Sequence, residues 1–185
     1  MDLRILGGIY KHRRIKLHSS FHDRPTLVRS RRMIFDILMN YIEVGFSFLD
    51  VFAGSGVMGI EALSRGASKV VFFDINSLYL KTIEKNLINM EKIIGIYSTI
   101  KTNALCPPDG SNFDVIFLDP PYEKYYIIPD VVKKLIKYNW IGEHTWIVTE
   151  SFYKNPIELE DFEKFKESKI SHSLVAFFKY NQNRK

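Results

Sequence analysis

The sequence predicts an α/β fold built on a doubly wound, mostly parallel sheet. Three observations predict it. From Phe46 onward, apolar runs of strand type alternate with segments of helical spacing, and strands joined through helices lie parallel with helices on the sheet faces. Gly54, Gly56 and Gly59 make a glycine-rich turn between the first of these strands and the helix after it. The run Phe113-Asp114-Val115-Ile116-Phe117-Leu118 stops at Asp119 and two prolines, Pro120 and Pro121. Proline has no N–H and a fixed φ, so a central strand must end there. A length of 185 residues suits one such domain with a small appendage.

The appendage comes first. Leu3-Arg4-Ile5-Leu6, the turn signal Gly7-Gly8, and the alternation of Arg14, Ile15, Lys16 and Leu17 predict an irregular β-hairpin over residues 3–17. Residues 18–28 are loop-like. Met33, Ile34, Ile37, Leu38 and Tyr41 recur at helical spacing and predict a helix from Val28 to Tyr41. Residues 1–45 are therefore expected to form an N-terminal extension, and residues 46–185 the main domain.

Within the main domain, Phe48 to Phe52 is the first strand, and Val57 to Arg65 a helix closed by Gly66. Lys69 to Asp74 is the second strand, ending on an acid. Asn76 or Ser77 caps a helix running to Met90, and a third strand lies near Ile94 to Ile100. Residues 107–112 are a Pro/Gly-rich loop before the proline-terminated strand. A helix from Pro129 to Tyr138 and a strand from Thr145 to Glu150 follow. Residues 158–167 mix helix-like spacing with loop. Ile170-Ser171 and Leu174 to Tyr180 predict a terminal hairpin that adds an antiparallel edge.

Composition excludes several classes. No apolar run reaches the ~20 residues of a membrane span, and no apolar segment follows Met1-Asp2-Leu3-Arg4 as in a signal peptide. Cys106 is the sole cysteine, which excludes an internal disulfide and a cysteine metal cluster and fits a reducing cytoplasm. The five histidines show no ligand spacing, so no metal is expected. The net charge of +5 lies wholly in residues 1–45, where nine Lys/Arg face four acids. A basic quarter on a neutral body points to a polyanion. Arg29, Arg31 and Arg32 load the first turns of a helix, where cations oppose the macrodipole, and this placement too points to an external anion.

Gly54-x-Gly56-x-x-Gly59 with Asp74 at the tip of the next strand is the arrangement of a dinucleotide or nucleoside cofactor site. The glycines admit a ligand to the backbone, and the acid accepts from vicinal ribose hydroxyls. NAD and S-adenosylmethionine both carry that ribose. Asp50, just ahead of the turn, is placed to accept from an ammonium, which S-adenosylmethionine has and NAD lacks. Asp119 and the carbonyl of Pro120 offer two acceptors on one rigid segment, matching the two N–H groups of a planar amine. Tyr122 offers a stacking surface for the ring that carries the amine. These features favour amine methylation over hydride transfer.

Asp50-Val51-Phe52-Ala53-Gly54-Ser55-Gly56 is similar to the first motif of class I S-adenosylmethionine-dependent methyltransferases, and Asp119-Pro120-Pro121-Tyr122 to their amino-methylating motif. Over most of its length the chain resembles the bacterial RsmD family, through Arg4-Ile5-Leu6-Gly7-Gly8, Arg24-Pro25-Thr26 with Arg29, and Gly59-x-Glu61-Ala62-Leu63-Ser64-Arg65-Gly66-Ala67. The resemblance implies a Rossmann-like methyltransferase domain that methylates the exocyclic N2 of a guanine in 16S ribosomal RNA, as a cytoplasmic monomer. It implies S-adenosylmethionine contacts from Asp50, Phe52, Ala53, Gly54, Gly56, Asp74, Ile75, Asn103, Ala104 and Asp119. Asp119, Pro120 and Tyr122 would carry catalysis, and Arg4, Lys11, Arg13, Arg14, Arg24, Arg29 and Arg32 would hold RNA, with Arg31 beside them. The family often has Glu at Asp74, an acid at Asn76, and Asp at Asn103, whose side chain meets the adenine amine. Two alternatives share the motifs: a DNA adenine or cytosine amino-methyltransferase, whose usual target-recognition insert is absent from this sequence, and a non-catalytic RNA-binding module.

Overall fold

A computed structural model describes residues 3–18, 25–90 and 96–180; Arg24 and the expected strand start at Ile94 lie outside them. The N-terminal hairpin is a two-residue ladder, β1 (Leu3–Arg4) against β2 (Arg14–Ile15). Helix α1 (Pro25–Leu38) begins three residues earlier than the sequence predicts, because proline's fixed φ suits the first helical position.

The main sheet has seven strands: β3 (Ser47–Asp50), β4 (Lys69–Asp74), β5 (Ile96–Lys101), β6 (Val115–Leu118), β7 (Trp146–Phe152), β8 (Phe162–Ile170) and β9 (Ser173–Tyr180). Their order is β5-β4-β3-β6-β7-β9-β8. The ladders from β5 through β7 are parallel, and β9 and β8 add antiparallel pairs. Helices α2 (Val57–Ser64), α3 (Ser77–Ile88) and α4 (Ile128–Lys137) complete the alternation.

Both sheet faces are covered, which explains the unbroken apolar runs. Successive residues go to opposite faces. Phe48, Val70, Phe72, Val115, Phe117 and Val148 pack with the hairpin, α1, α2 and α3. Leu49, Val71, Phe73, Ile116, Leu118 and Ile147 pack with α4 and Trp140.

The stretch 158–167 departs from expectation. Most of it is strand β8, at the sheet edge. Its Glu163, Lys164, Lys166, Glu167 and Lys169 read as loop or helix because an edge strand carries charge on its solvated side. A bulge between Lys164 and Lys166 offsets the register at Phe165. The Phe165 ring lies 5.2 Å from Trp146 and 5.1 Å from Tyr41, with the Lys179 ammonium 4.1 Å from the Trp146 centroid.

The hairpin is fastened to the main sheet's helices by polar contacts. The Ile9 N–H donates to the Ser64 carbonyl (2.8 Å) and the Tyr10 N–H to Ser64 Oγ (3.0 Å), at the last residue of α2. Asn86 in α3 accepts from the Lys16 N–H (3.0 Å) and donates to its carbonyl (2.8 Å). Glu61, fully buried in α2, accepts from the Leu6 N–H (2.8 Å) and from Arg65 Nε (2.8 Å), and lies 3.5 Å from Arg31 Nε.

Candidate active site

The sheet order reverses between β3 and β6: the chain runs outward from β3 to β4 and β5, then returns to place β6 on the other side of β3. Ligands in open α/β sheets bind at such a switch point, beyond the strands' carboxyl ends. Asp50 ends β3, Asp74 ends β4, and Asp119 directly follows β6. The ladder keeps them level: Asp50 pairs with Phe72 on one side and Phe117 on the other. Three carboxylates spread over 70 residues of sequence thus meet at one edge, around the glycine turn.

The turn is held by two of these acids. One oxygen of Asp74 accepts from the Gly54 N–H (2.8 Å) and the other from the Asn76 N–H (2.8 Å). Asp50 accepts from the Gly59 N–H (3.2 Å) beneath the turn. Gly56 has φ +71°, and a Cβ there would lie 2.5 Å from Ile83. A Cβ at Gly59 would lie 2.2 Å from the Phe72 ring, so glycine lets α2 pack directly on β4. Side chains at these positions would displace the turn from the edge it shapes. Asn76 caps α3, its side-chain oxygen accepting from the Leu78 N–H (3.0 Å).

Burial of Asp50, opposed by the Gly59 N–H and reinforced by the charge of Asp74, pushes its carboxyl up to about 7. An ordinary aspartate ionises near 3.8. Between these values the folded state holds a proton that the unfolded chain has lost, so stability falls as pH rises from about 4 to 7 and is flat above. One proton changes stability by at most about 1.4 kcal/mol per pH unit. Urea titrations should show parent stability declining against Asp50→Asn across that window and running parallel above it. Parallel curves throughout would mean that Asp50 is ionised as usual.

A buried carboxylate short of compensation suits a cation from outside, and the ammonium of an amino-acid-bearing cofactor supplies one. The exposed apolar side chain of Ile75, following Asp74, offers a flat contact for a base. Phe52 is half-buried and Ala53 buried, with the Ala53 N–H donating to the Phe73 carbonyl (2.9 Å). On these observations the residues fit S-adenosylmethionine. The side-chain oxygen of Asn103 accepts from the Leu105 N–H (3.0 Å) in a local turn, and Ala104 beside it is buried.

Asp119 is half-buried, Pro120 buried and Pro121 exposed. The Pro121 carbonyl accepts from the Lys124 N–H (2.7 Å), which opens a 3₁₀ helix, Tyr122–Ile127, that the sequence did not signal. The Tyr122 hydroxyl lies 3.2 Å from Ser173 Oγ on β9, and its ring meets Phe152 edge-on at 6.4 Å. These contacts hold the Tyr122 ring from the β7–β9 side.

The N-terminal cations divide. Arg4, Lys11, Arg14, Arg29 and Arg32 are exposed. Arg13 stacks on Tyr10 at 5.6 Å and donates to the carbonyl of Asn89, the C-cap of α3. Tyr10 and Arg13 therefore sit at the far ends of α2 and α3 from the glycine turn. Eight residues of α2 rise about 12 Å, so these groups lie well away from Asp119. Arg31 overturns the expectation for it: it is fully buried, faces Glu61 and donates to the Arg4 carbonyl (2.5 Å). A guanidinium so enclosed does not hold an external phosphate. Its partner Glu61 has a role that the sequence alone does not reveal.

A Rossmann-like methyltransferase fold is what this sheet, turn and acid set define. A solved structure described as a putative methyltransferase of Escherichia coli matches 98% of this chain and 99% of its own with a TM-score of 0.84 at 24% identity, a likeness of fold. A putative methylase of Haemophilus influenzae matches 98% of this chain and all of its own, with a TM-score of 0.79 at 28% identity. The chain belongs to the RsmD family: the family model described as Conserved hypothetical protein 95 matches residues 3–179. The Haemophilus influenzae protein named ribosomal RNA small subunit methyltransferase D is 32% identical over 160 residues, 84% of this chain and 82% of that one.

Proposed function

We propose that this chain transfers a methyl group from S-adenosylmethionine to the exocyclic N2 of a guanine in small-subunit ribosomal RNA. One observation carries the reading: the Asp119-Pro120-Pro121-Tyr122 segment stands beside the Asp50–Asp74 glycine turn at the sheet's switch point. The ribosomal substrate named for the relative supplies the class of acceptor.

S-adenosylmethionine, when bound, supplies an electrophilic methyl on a sulfonium. The chain's own groups do the rest. Asp74 accepts from the ribose hydroxyls, Asp50 faces the ammonium, and Ile75 packs on the adenine. The lone pair of guanine N2 is conjugated into its ring and nucleophilically weak. Asp119 and the Pro120 carbonyl accept its two hydrogens, turn the nitrogen towards a pyramidal geometry and aim its lone pair at the methyl. As the N–C bond forms the C–S bond breaks to leave a neutral thioether, and the surplus N2 proton passes to Asp119 or to solvent. Such positioning is worth several orders of magnitude in rate. A guanine in folded RNA reaches the site only when splayed out, and Tyr122 stacks on it. Arg4, Lys11, Arg14, Arg29 and Arg32, in the extension formed by residues 1–45, hold phosphates further along the RNA.

Mass spectrometry of 16S RNA treated with the protein and labelled S-adenosylmethionine, the RNA taken from a strain lacking this chain, is expected to show N2-methylguanosine. A methyl group on another base, or on DNA only, would overturn the assignment. Asp74→Ala is expected to weaken S-adenosylmethionine binding by roughly 1–3 kcal/mol, the range for hydrogen bonds to a charged group. Calorimetry showing unchanged S-adenosylmethionine affinity, or binding of NAD in its place, would remove the cofactor reading.

A further inference from the structure

The catalytic edge carries a second cationic surface, on the side of Tyr122 away from the glycine turn. Strand β7 runs parallel to β6, with Thr149 level with Leu118, so Phe152 and the residues after it extend past the strand ends beside Asp119. The β8–β9 turn reaches the same place: Phe152 is level with Ser173, and the Tyr153 N–H donates to the His172 carbonyl (3.0 Å). The rings form a chain. Tyr122 meets Phe152 edge-on, and Phe152 lies 4.8 Å from Tyr153. Two ammonium groups and an imidazole surround the Tyr153 ring: Lys169 Nζ is 3.7 Å from its centroid, Lys154 Nζ 5.9 Å, and the His172 ring 6.2 Å.

Lys154, Lys169 and His172 are exposed. The ion pairs among the described residues involve neither of these lysines. A ring face fixes an ammonium without consuming its N–H donors, so Tyr153 confines Lys169 while leaving it able to bind an anion. Confined lysines with aromatic and imidazole rings are the chemistry that tracks a single nucleic-acid strand: phosphates go to the cations and bases to the rings. The N-terminal cations at the hairpin tip are too remote to do this next to the reacting nucleotide.

We propose that Lys154 and Lys169, set by Tyr153, bind the phosphates of the RNA strand immediately flanking the nucleotide held at Tyr122, with His172 as a platform for the neighbouring base. The inference rests on the RNA-methylating reading above and assigns the part of the substrate that this edge grips.

The test is the double variant Lys154→Ala/Lys169→Ala, compared with the parent in RNA binding across a salt series and in transfer kinetics on small-subunit RNA. The RNA KM is expected to rise about tenfold. The log–log salt slope should drop by about 1.4, for two single-strand phosphate contacts at about 0.7 each. Both kcat at saturating RNA and S-adenosylmethionine affinity should stay at parent values. Lys133→Ala/Lys137→Ala on α4, which removes equal charge elsewhere, should leave KM and slope unchanged. Tyr153→Leu should raise KM several-fold with both lysines present. A parent-like KM and slope for Lys154→Ala/Lys169→Ala, in a protein that still methylates RNA, would overturn this surface and leave the proposed function standing. A control pair that behaves like the test pair would reduce the effect to general charge and also overturn it. If the parent neither binds nor methylates RNA, the functional reading and this inference fall together.

Discussion

Glu61→Gln is expected to destabilise the fold by about 3 kcal/mol, at the lower end of the 3–5 kcal/mol that follows when one partner of a buried ion pair is removed. Glu61 is fully buried and its two oxygens serve three elements: the Leu6 N–H of the hairpin, Arg31 of α1 and Arg65 of its own helix. Glutamine keeps the volume, removes the charge, and turns an NH₂ towards groups that are themselves donors. The loss is held to the lower end because Arg31 still donates to the Arg4 carbonyl and Arg65 remains 3.9 Å from Asp36. Since whole domains are stable by only about 5–15 kcal/mol, the change is large. It should appear as a lower urea midpoint at unchanged m-value. RNA affinity should weaken along with it, because the hairpin loses its anchor, while S-adenosylmethionine affinity holds. A shift below about 1 kcal/mol would show that the hairpin and α1 are fastened by their apolar contacts alone.

This anchor shows what the sequence carries and what it hides. Lys69 to Asp74 is legible as a strand because both its faces are buried, and an unbroken apolar run with β-branched and aromatic residues admits few alternatives. The glycine turn and its acids are legible because close backbone approach and hydrogen-bond acceptance demand particular residue types at fixed offsets. Arg31 has a charge that points to solvent but a position that points to the core. It precedes Ile34, Phe35 and Leu38 by three, four and seven residues, which puts it on the buried stripe of α1. Glu61 carried a matching signal as the only charged residue in Val57–Ser64, a helix buried along its whole length. Neither signal names its partner, since the contact spans thirty residues and is decided by how α1 crosses α2. Strand β8 was hidden for another reason: an edge strand needs no continuous apolar face, and its one large exposed ring, Phe165, sits at a bulge where the alternation breaks. The platform at Tyr153 was illegible because Lys154, Lys169 and His172 come from two separate segments brought together by the β7–β9 ladder.

Asp119→Asn is expected to lower the single-turnover rate of methyl transfer by about 10²-fold or more, the scale on which positioned acid–base and electrostatic groups act. Asparagine matches aspartate in size and keeps one acceptor oxygen. Its other terminus becomes an NH₂ facing an amine that also donates, so one of the two hydrogen bonds that orient the target nitrogen becomes a repulsion. The negative charge that favours the developing ammonium is lost as well. The fold should hold: Asp119 lies past the last residue of β6, only half-buried, and the packing of that strand is made by Val115 to Leu118. S-adenosylmethionine affinity should change little, since Asp50 and Asp74 are untouched. Tyr122→Ala separates binding from chemistry at the same segment. It should weaken RNA binding on the order of 1–3 kcal/mol, as for a lost stacking contact, with a milder loss of rate at saturating RNA. Labelled S-adenosylmethionine and small-subunit particles, followed through one turnover for both variants and the parent, distinguish these outcomes. A parental rate in Asp119→Asn would make Asp119-Pro120-Pro121-Tyr122 a structural turn and sink the amine-methylation mechanism.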